Sequence, residues 1–261
     1  MKLTIALAQL SVAFAQPATN FARVAAAVET AALQGASVVV LPEMWNTGYA
    51  LNQLATLADP AGQQTKQLLT TLARQHQLGI VGGSVATARH GEFFNTSYVV
   101  DDTGRVIGTY DKVHLFGLMK EDQYLSAGKT TNRFELQQVP SAGFICYDLR
   151  FPEWMRTLGT TGVDVMYFVA QWPATRIQQW RRLLQARAIE NQCFVVGVNR
   201  VGDDPDNHYN GHSLVIDPLG EVIADAGEAE QVQIVTLDLA QLQTVRGPIP
   251  VFADRRPALY R

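Results

Sequence analysis

Gly143-Phe-Ile-Cys146-Tyr-Asp-Leu-Arg150-Phe-Pro-Glu153 is the stretch around which the chain is organised. Gly143 to Ile145 reads as an apolar strand, and Pro152 marks the start of a helix because its fixed φ suits a first helical position. The residues between must turn, which sets Cys146 on a strand-to-helix elbow. That is where α/β enzymes expose nucleophiles, and the Tyr147 amide beside it is a candidate donor to an oxyanion. A lone cysteine after a strand is more often inert packing than chemistry. The reading therefore depends on what else the chain supplies.

Two other stretches supply it. Val38-Val-Val-Leu-Pro42-Glu43-Met-Trp45 is a β-branched run ending in a carboxylate, so Glu43 falls at the carboxyl end of a buried strand. Tyr110-Asp-Lys112-Val-His114-Leu-Phe116 alternates like a strand and carries a lysine among apolar neighbours. Either signal alone reads as a solvated loop acid or a lysine reaching for water. An acid, an ammonium and a thiol in the order Glu43, Lys112, Cys146 is more specific.

These segments resemble the carbon-nitrogen hydrolase (nitrilase) superfamily, whose Glu-Lys-Cys triad lies in L-P-E, K-x-H-L-F and G-x-x-I-C-Y-D motifs. Here they read Leu41-Pro42-Glu43, Lys112-Val-His-Leu-Phe116 and Gly143-Phe-Ile-Cys146-Tyr-Asp148. The likeness runs from Leu3–Leu10 to the tail Asp254–Tyr260. It implies a four-layer αββα sandwich, a catalytic set of Glu43, Lys112 and Cys146, and a second glutamate in the loop after the lysine. Glu121 matches that position, with Asp122 as a rival. Tyr147 onwards follows the amidase branch that includes the ω-amidases, rather than the Trp-Glu of nitrile-hydrolysing relatives. Ala170-Gln-Trp-Pro173, Ala186–Asn191 and Asn199-Arg-Val-Gly202 follow the same branch.

The implied reaction is hydrolysis of a small amide, in particular the terminal amide of a 2-oxoglutaramate-like dicarboxylic monoamide, by way of a thioester and water. Other small amides, N-carbamoyl compounds, and a catalytically silent binding protein on the same scaffold are the alternatives. Tyr49, Phe116, Tyr147 and Trp172 are candidate substrate-binding residues, and Arg176 is the candidate cation for a distal carboxylate. No cofactor is expected. The tail, about 240–261, resembles the family segment that packs near a subunit interface, so a homodimer is expected.

Composition sets outer limits. The 261 residues are 47% hydrophobic and 17% charged, enough apolar material for one large core, and one domain spanning 1–261 is expected. A net charge of −3 with scattered basic residues gives no footprint for nucleic acid. Two cysteines are too few for a disulfide framework and fit a reducing cytoplasm. Leu3 to Ala15 imitates a short signal peptide, but Gln9 and Ser11 interrupt the apolar run and the family places the first core strand there. No run approaches the roughly 20 apolar residues of a membrane span.

Along the chain, Thr19-Asn20 is read as the cap of a helix from Phe21 to about Gln34, and Gln63 to His76 as a second helix. Asp101-Asp-Thr-Gly104 is read as the turn of a hairpin from Phe93 to Val113, and Ile177 to Asn191 as a third helix. Gly35–Trp45 and Gly162–Trp172 align without gaps as two helix-strand units, the pattern of a pseudo-twofold sandwich. His208 and His212 lie in a Gly/Asn/Asp loop and are not read as metal ligands; Gly79 to Gly83 lacks dinucleotide spacing. His114 is read as sharing a strand face with Lys112, the motif resemblance implies a structural hydrogen-bonding role for it, and Cys193 is read as core.

Overall fold

The computed structural model describes residues 1–260. Two sheets lie face to face with helices outside them, a four-layer αββα sandwich. The first runs, in spatial order, Gln231–Asp238, Lys2–Gln9, Val38–Val40, Gly79–Val81, Glu92–Val100, Val85–Arg89 and Asp59–Pro60, with Val106–Asp111 also paired to Glu92–Val100. The second runs Val222–Asp225, Leu214–Ile216, Phe194–Asn199, Val165–Ala170, Val139–Ile145 and Arg133–Leu136. The central strands of each are parallel and the flanks antiparallel, except that the edge strand Asp59–Pro60 runs parallel to Val85–Arg89. Parallel neighbours need crossovers, and helices Pro17–Leu33, Gln63–His76, Pro152–Gly159 and Ile177–Asn191 provide them.

Period-two alternation decides which side chains face which layer. Leu3, Ile5, Leu7, Val38 and Val40 enter the core between the sheets, whereas Ala6, Ala8 and Val39 pack beneath Phe21, Val24 and Val28 of the first helix. The second sheet follows the same rule. A Cβ on Gly197 would come within 2.7 Å of Trp180 and Leu184, so the bare backbone there is what lets the helix Ile177–Asn191 settle onto the sheet. Burying each large apolar side chain in these layers contributes about 1.5–3 kcal/mol, and the layers persist because many do so together.

The two aligned segments of the sequence, Gly35–Trp45 and Gly162–Trp172, occupy the middles of facing sheets, and their strand ends abut. Glu43 N approaches Ala170 O at 3.5 Å, and Gln171 N donates to Glu43 Oε2 at 2.8 Å.

Two local readings change. The first helix begins at Pro17, one turn earlier than the Thr19-Asn20 cap implied, because proline takes the first helical position without losing a needed hydrogen bond. Asn20, freed from capping, pairs both ways with the Ala13 backbone and donates to Asn46 O, tying the helix to the segment after Glu43. The strand before Lys112 ends at Asp111, so Lys112 and His114 do not share a strand face. Among the described residues no helix is long and apolar enough to cross a membrane.

Candidate active site

Glu43 leaves its strand through a sharp bend. Met44 has φ 44°, its amide donates to Ser84 Oγ at 2.9 Å, and Ser84 N donates to Pro42 O at 3.1 Å. A Cβ on Gly83, itself at φ 60°, would fall 2.0 Å from Pro42 O, so only glycine lets the two turns touch. The bend aims the carboxylate between the sheets, where Glu43 is fully buried.

Lys112 sits one residue past its strand, held by its amide donating to Asn95 O at 2.9 Å. Its Nζ donates to Glu43 Oε1 and to Glu121 Oε1, each at 2.8 Å, with all three side chains fully buried. Asn95 Nδ2 donates to Glu43 Oε1 at 2.9 Å, and the Tyr49 hydroxyl lies 3.0 Å from Glu43 Oε1 and 2.9 Å from Glu121 Oε1. Phe116 N donates to Glu121 Oε2 at 2.7 Å, which folds the short 117–124 segment over the site. Glu121, not the exposed Asp122, is therefore the acid that meets the lysine.

Cys146 has φ 43°, a left-handed conformation that costs a non-glycine residue roughly 1–3 kcal/mol and is kept only when its surroundings enforce it. Asp148 does the enforcing. Its fully buried carboxylate accepts from Ile145 N (3.0 Å), Tyr110 Oη (2.8 Å) and His114 N (3.1 Å), and its Oδ1 lies 2.7 Å from His114 Nδ1. Tyr110 and His114 flank Lys112 in sequence, so one carboxylate registers the cysteine elbow against the lysine segment. His114 also stacks on Phe151 at 3.8 Å, which places its hydrogen-bonding role outside the reactive cluster.

The electrostatics follow from burial. Burial pushes the Cys146 thiol well above its ordinary value, the Glu43 carboxylate adds to this, and Lys112 opposes it. For Lys112, burial pulls downward but the Glu121 and Glu43 carboxylates outweigh it, so the ammonium is held above its usual range. Burial raises Glu121, with Lys112 lowering and Glu43 raising it further. The cluster at rest thus holds a neutral thiol beside a firmly cationic lysine.

Cys146 opens onto a narrow recess lined by Phe116, Tyr147, Trp172, Arg176, Arg150 and Met119, among others. The Arg176 guanidinium lies 5.6 Å from the Phe116 ring and that of Arg150 4.9 Å from the Trp172 ring. Of the residues expected to line the pocket, Phe116, Tyr147, Trp172 and Arg176 do so. Tyr49 does more than form a wall, since its hydroxyl joins the two glutamates. Arg150, Asn95 and Gln171 were not singled out in the sequence. Arg150, four residues after the cysteine, and Gln171, within Ala170-Gln-Trp-Pro173, each carried a signal; Asn95 carried none. Elsewhere, Cys193 is a free, buried core thiol, and His208 and His212 bond to Asp203 and Asp225.

Comparison with known proteins agrees with this geometry. The carbon-nitrogen hydrolase family model matches residues 4–247. The chain is 45% identical to the 2-oxoglutaramate amidase of Bacillus subtilis (strain 168) over 260 residues, spanning 100% of both chains. It is 40% identical to the omega-amidase YafV of Yersinia enterocolitica, over 85% of each. Among solved structures, XC1258 from Xanthomonas campestris, a CN-hydrolase superfamily protein with an arsenic adduct in its active site, superposes with TM-score 0.92 and 34% identity over 98% of both chains. With the fold, the three motifs and these relatives in agreement, the chain belongs to the carbon-nitrogen hydrolase family.

Proposed function

We propose that the chain is a cysteine-dependent amidohydrolase that cleaves the terminal amide of a small dicarboxylic monoamide of the 2-oxoglutaramate kind, with Glu43, Lys112 and Cys146 as its catalytic residues. The observation that carries the reading is the convergence of Glu43 and Lys112 beside a thiol that faces a recess bearing two guanidinium groups. The relatives named above support the substrate class.

Proton counting assigns the roles. Glu43 Oε1 is occupied by Lys112, Tyr49 and Asn95, and Oε2 accepts only from Gln171 N, so the open acceptor position is on Oε2. In this reading Oε2 takes the thiol proton as Sγ attacks the amide carbon. Because the resting thiol is neutral, proton removal accompanies attack on bound substrate. The oxyanion is received by the third hydrogen of Lys112 Nζ, two of the three being engaged by the glutamates, and by Tyr147 N–H. Collapse breaks the C–N bond, Glu43 returns the proton to the departing nitrogen, and ammonia leaves a thioester on Cys146. Water then adds to the thioester as Glu43 takes its proton. The thiolate leaves and recovers that proton, and the carboxylic acid is released.

The distal carboxylate of such a substrate needs a cation, and Arg176 and Arg150 stand at the recess. Ammonia release measured across ω-amides, nitriles and N-carbamoyl compounds tests the substrate class; activity confined to N-carbamoyl compounds would replace it. Arg176→Ala and Arg150→Ala are expected to raise KM for 2-oxoglutaramate more than they lower kcat. An unchanged KM in both would remove the guanidinium role. The two free thiols suit a reducing cytoplasm, and exposed Ile249, Leu259 and Tyr260 on the tail support a homodimer.

A further inference from the structure

Tyr49 has one hydroxyl hydrogen, yet its oxygen lies at hydrogen-bonding distance from two carboxylate oxygens, Glu43 Oε1 at 3.0 Å and Glu121 Oε1 at 2.9 Å. One hydrogen serves one of these contacts. The other brings a hydroxyl oxygen with nothing left to donate against a carboxylate, an approach that repels unless the carboxyl group itself brings a hydrogen. Among the described residues Lys112 and Asn95 bond to the carboxylate oxygens and neither bonds to the Tyr49 oxygen.

Charge gives the same count by an independent route. Glu43 and Glu121 are both fully buried, and among the described residues Lys112 is the one cation bonded to either. Two carboxylates and one ammonium leave a net negative charge out of reach of water, which costs several kcal/mol. Two carboxylates sharing a site lower that cost by keeping a proton between them. The titratable groups facing the pair are Lys112, Tyr49, Tyr209 and the Cys146 thiol, and apart from Lys112 none of them carries a positive charge that would neutralise a second carboxylate.

We propose that the resting site stores one proton on the Glu43–Glu121 pair, seated on Glu121 Oε1 and donated to the Tyr49 oxygen, while the Tyr49 hydroxyl donates to Glu43 Oε1. The proton sits on Glu121 rather than Glu43 because Glu43 is the better solvated anion. Each accepts from Lys112 and from one backbone amide, Gln171 N for Glu43 and Phe116 N for Glu121, but Asn95 donates to Glu43 at 2.9 Å and reaches Glu121 only at 3.5 Å. Burial favours the same assignment by raising Glu121, with Lys112 opposing and Glu43 reinforcing.

The stored proton has work to do in the mechanism proposed above. It keeps Glu43 ionised as the base and leaves Lys112 facing one negative charge instead of two, so the ammonium keeps its pull on the oxyanion. Loss of the proton at alkaline pH would put a second negative charge beside the thiol and the forming oxyanion, and kcat/KM would fall with a macroscopic pKa belonging to the pair. Tyr49 and Glu121 are in this sense positioning residues for the charge of Glu43.

Infrared spectroscopy of protein labelled with ¹³C at the glutamate side-chain carboxyl carbon tests the proposal without substrate. The expected result at neutral pH is a protonated-carboxyl band from a glutamate, shifted in D2O, moved in Tyr49→Phe and lost in Glu121→Gln, with folding of each variant checked by circular dichroism. Absence of any such band in the wild-type protein overturns the proposal, and so does a band unchanged in folded Glu121→Gln. If that variant does not fold, a band unmoved in Tyr49→Phe overturns it instead. The inference rests on the reactive cluster proposed above and not on the substrate, so an inactive amide panel would leave the infrared result standing as a separate test.

Discussion

Lys112→Met removes what is, among the described residues, the one positive charge bonded to two buried carboxylates, and keeps most of the side chain's bulk. With a proton stored on the glutamate pair, the loss leaves one uncompensated negative charge between the sheets. Breaking a buried pair in this way costs about 3–5 kcal/mol. At roughly 2–4 °C per kcal/mol for a chain of this size, unfolding is expected on the order of 10 °C lower at neutral pH.

The sign with pH is defined. Burial pulls the wild-type ammonium down but its glutamate partners outweigh this and hold it above the usual lysine range, so the stability it contributes is fully present below the ordinary lysine value and lost only as pH rises through the higher folded one. In the variant a buried negative charge is left without a cation, so the deficit is greatest near neutrality and shrinks in acid, where that charge is neutralised. In the proposed mechanism catalysis loses an oxyanion donor, which costs about 100–1000-fold in kcat. Thermal unfolding across pH and ammonia release from 2-oxoglutaramate measure both. A variant with wild-type kcat, or a stability deficit that grows in acid, would refute the reasoning.

Cys146→Gly is expected to be inactive yet as stable as, or about 1 kcal/mol more stable than, Cys146→Ala, because glycine relieves the left-handed backbone at φ 43°; denaturant unfolding of the pair checks this. Asp148→Asn leaves at least one of the four groups around that buried carboxylate without its acceptor, so stability is expected to fall by about 1–3 kcal/mol. Its kcat is expected to fall as well, since the elbow and the lysine lose their common anchor; a variant that is destabilised but fully active would separate the two roles. Alkylation of Cys146 by iodoacetamide in the absence of substrate is expected to stay slow at neutral pH and to accelerate only above the ordinary thiol range, because burial and Glu43 keep the sulfur protonated. Mass spectrometry at a series of pH values reads this out, and rapid labelling at neutral pH would contradict it.

The sequence by itself determined the elements whose causes are local. Gln63–His76 and Ile177–Asn191 begin and end where apolar period and polar stops put them, and the helix after the elbow starts at Pro152 because proline's fixed φ is helical and its missing N–H is not needed in the first turn. It also pointed to the three residues proposed as catalytic, since Glu43, Lys112 and Cys146 each stand at or just past a strand end inside a short motif. Where a local cause was misjudged, as with the Thr19-Asn20 cap, Pro17 was the stronger signal in the same window.

Only the tertiary structure decided how those groups are charged and held. Gln171 and Glu43 are 128 residues apart, and Asp148 reaches Tyr110 and His114 across 38 and 34. Such partners are fixed by the packing of one sheet on the other, to which no window of sequence has access. Tyr49, a plausible pocket wall in the sequence, becomes the bridge between two acids only because separate loops bring Glu43 and Glu121 to either side of one hydroxyl. Hydrogen-bond capacity and buried charge are properties of that enclosure, and they decide the protonation states on which the chemistry turns.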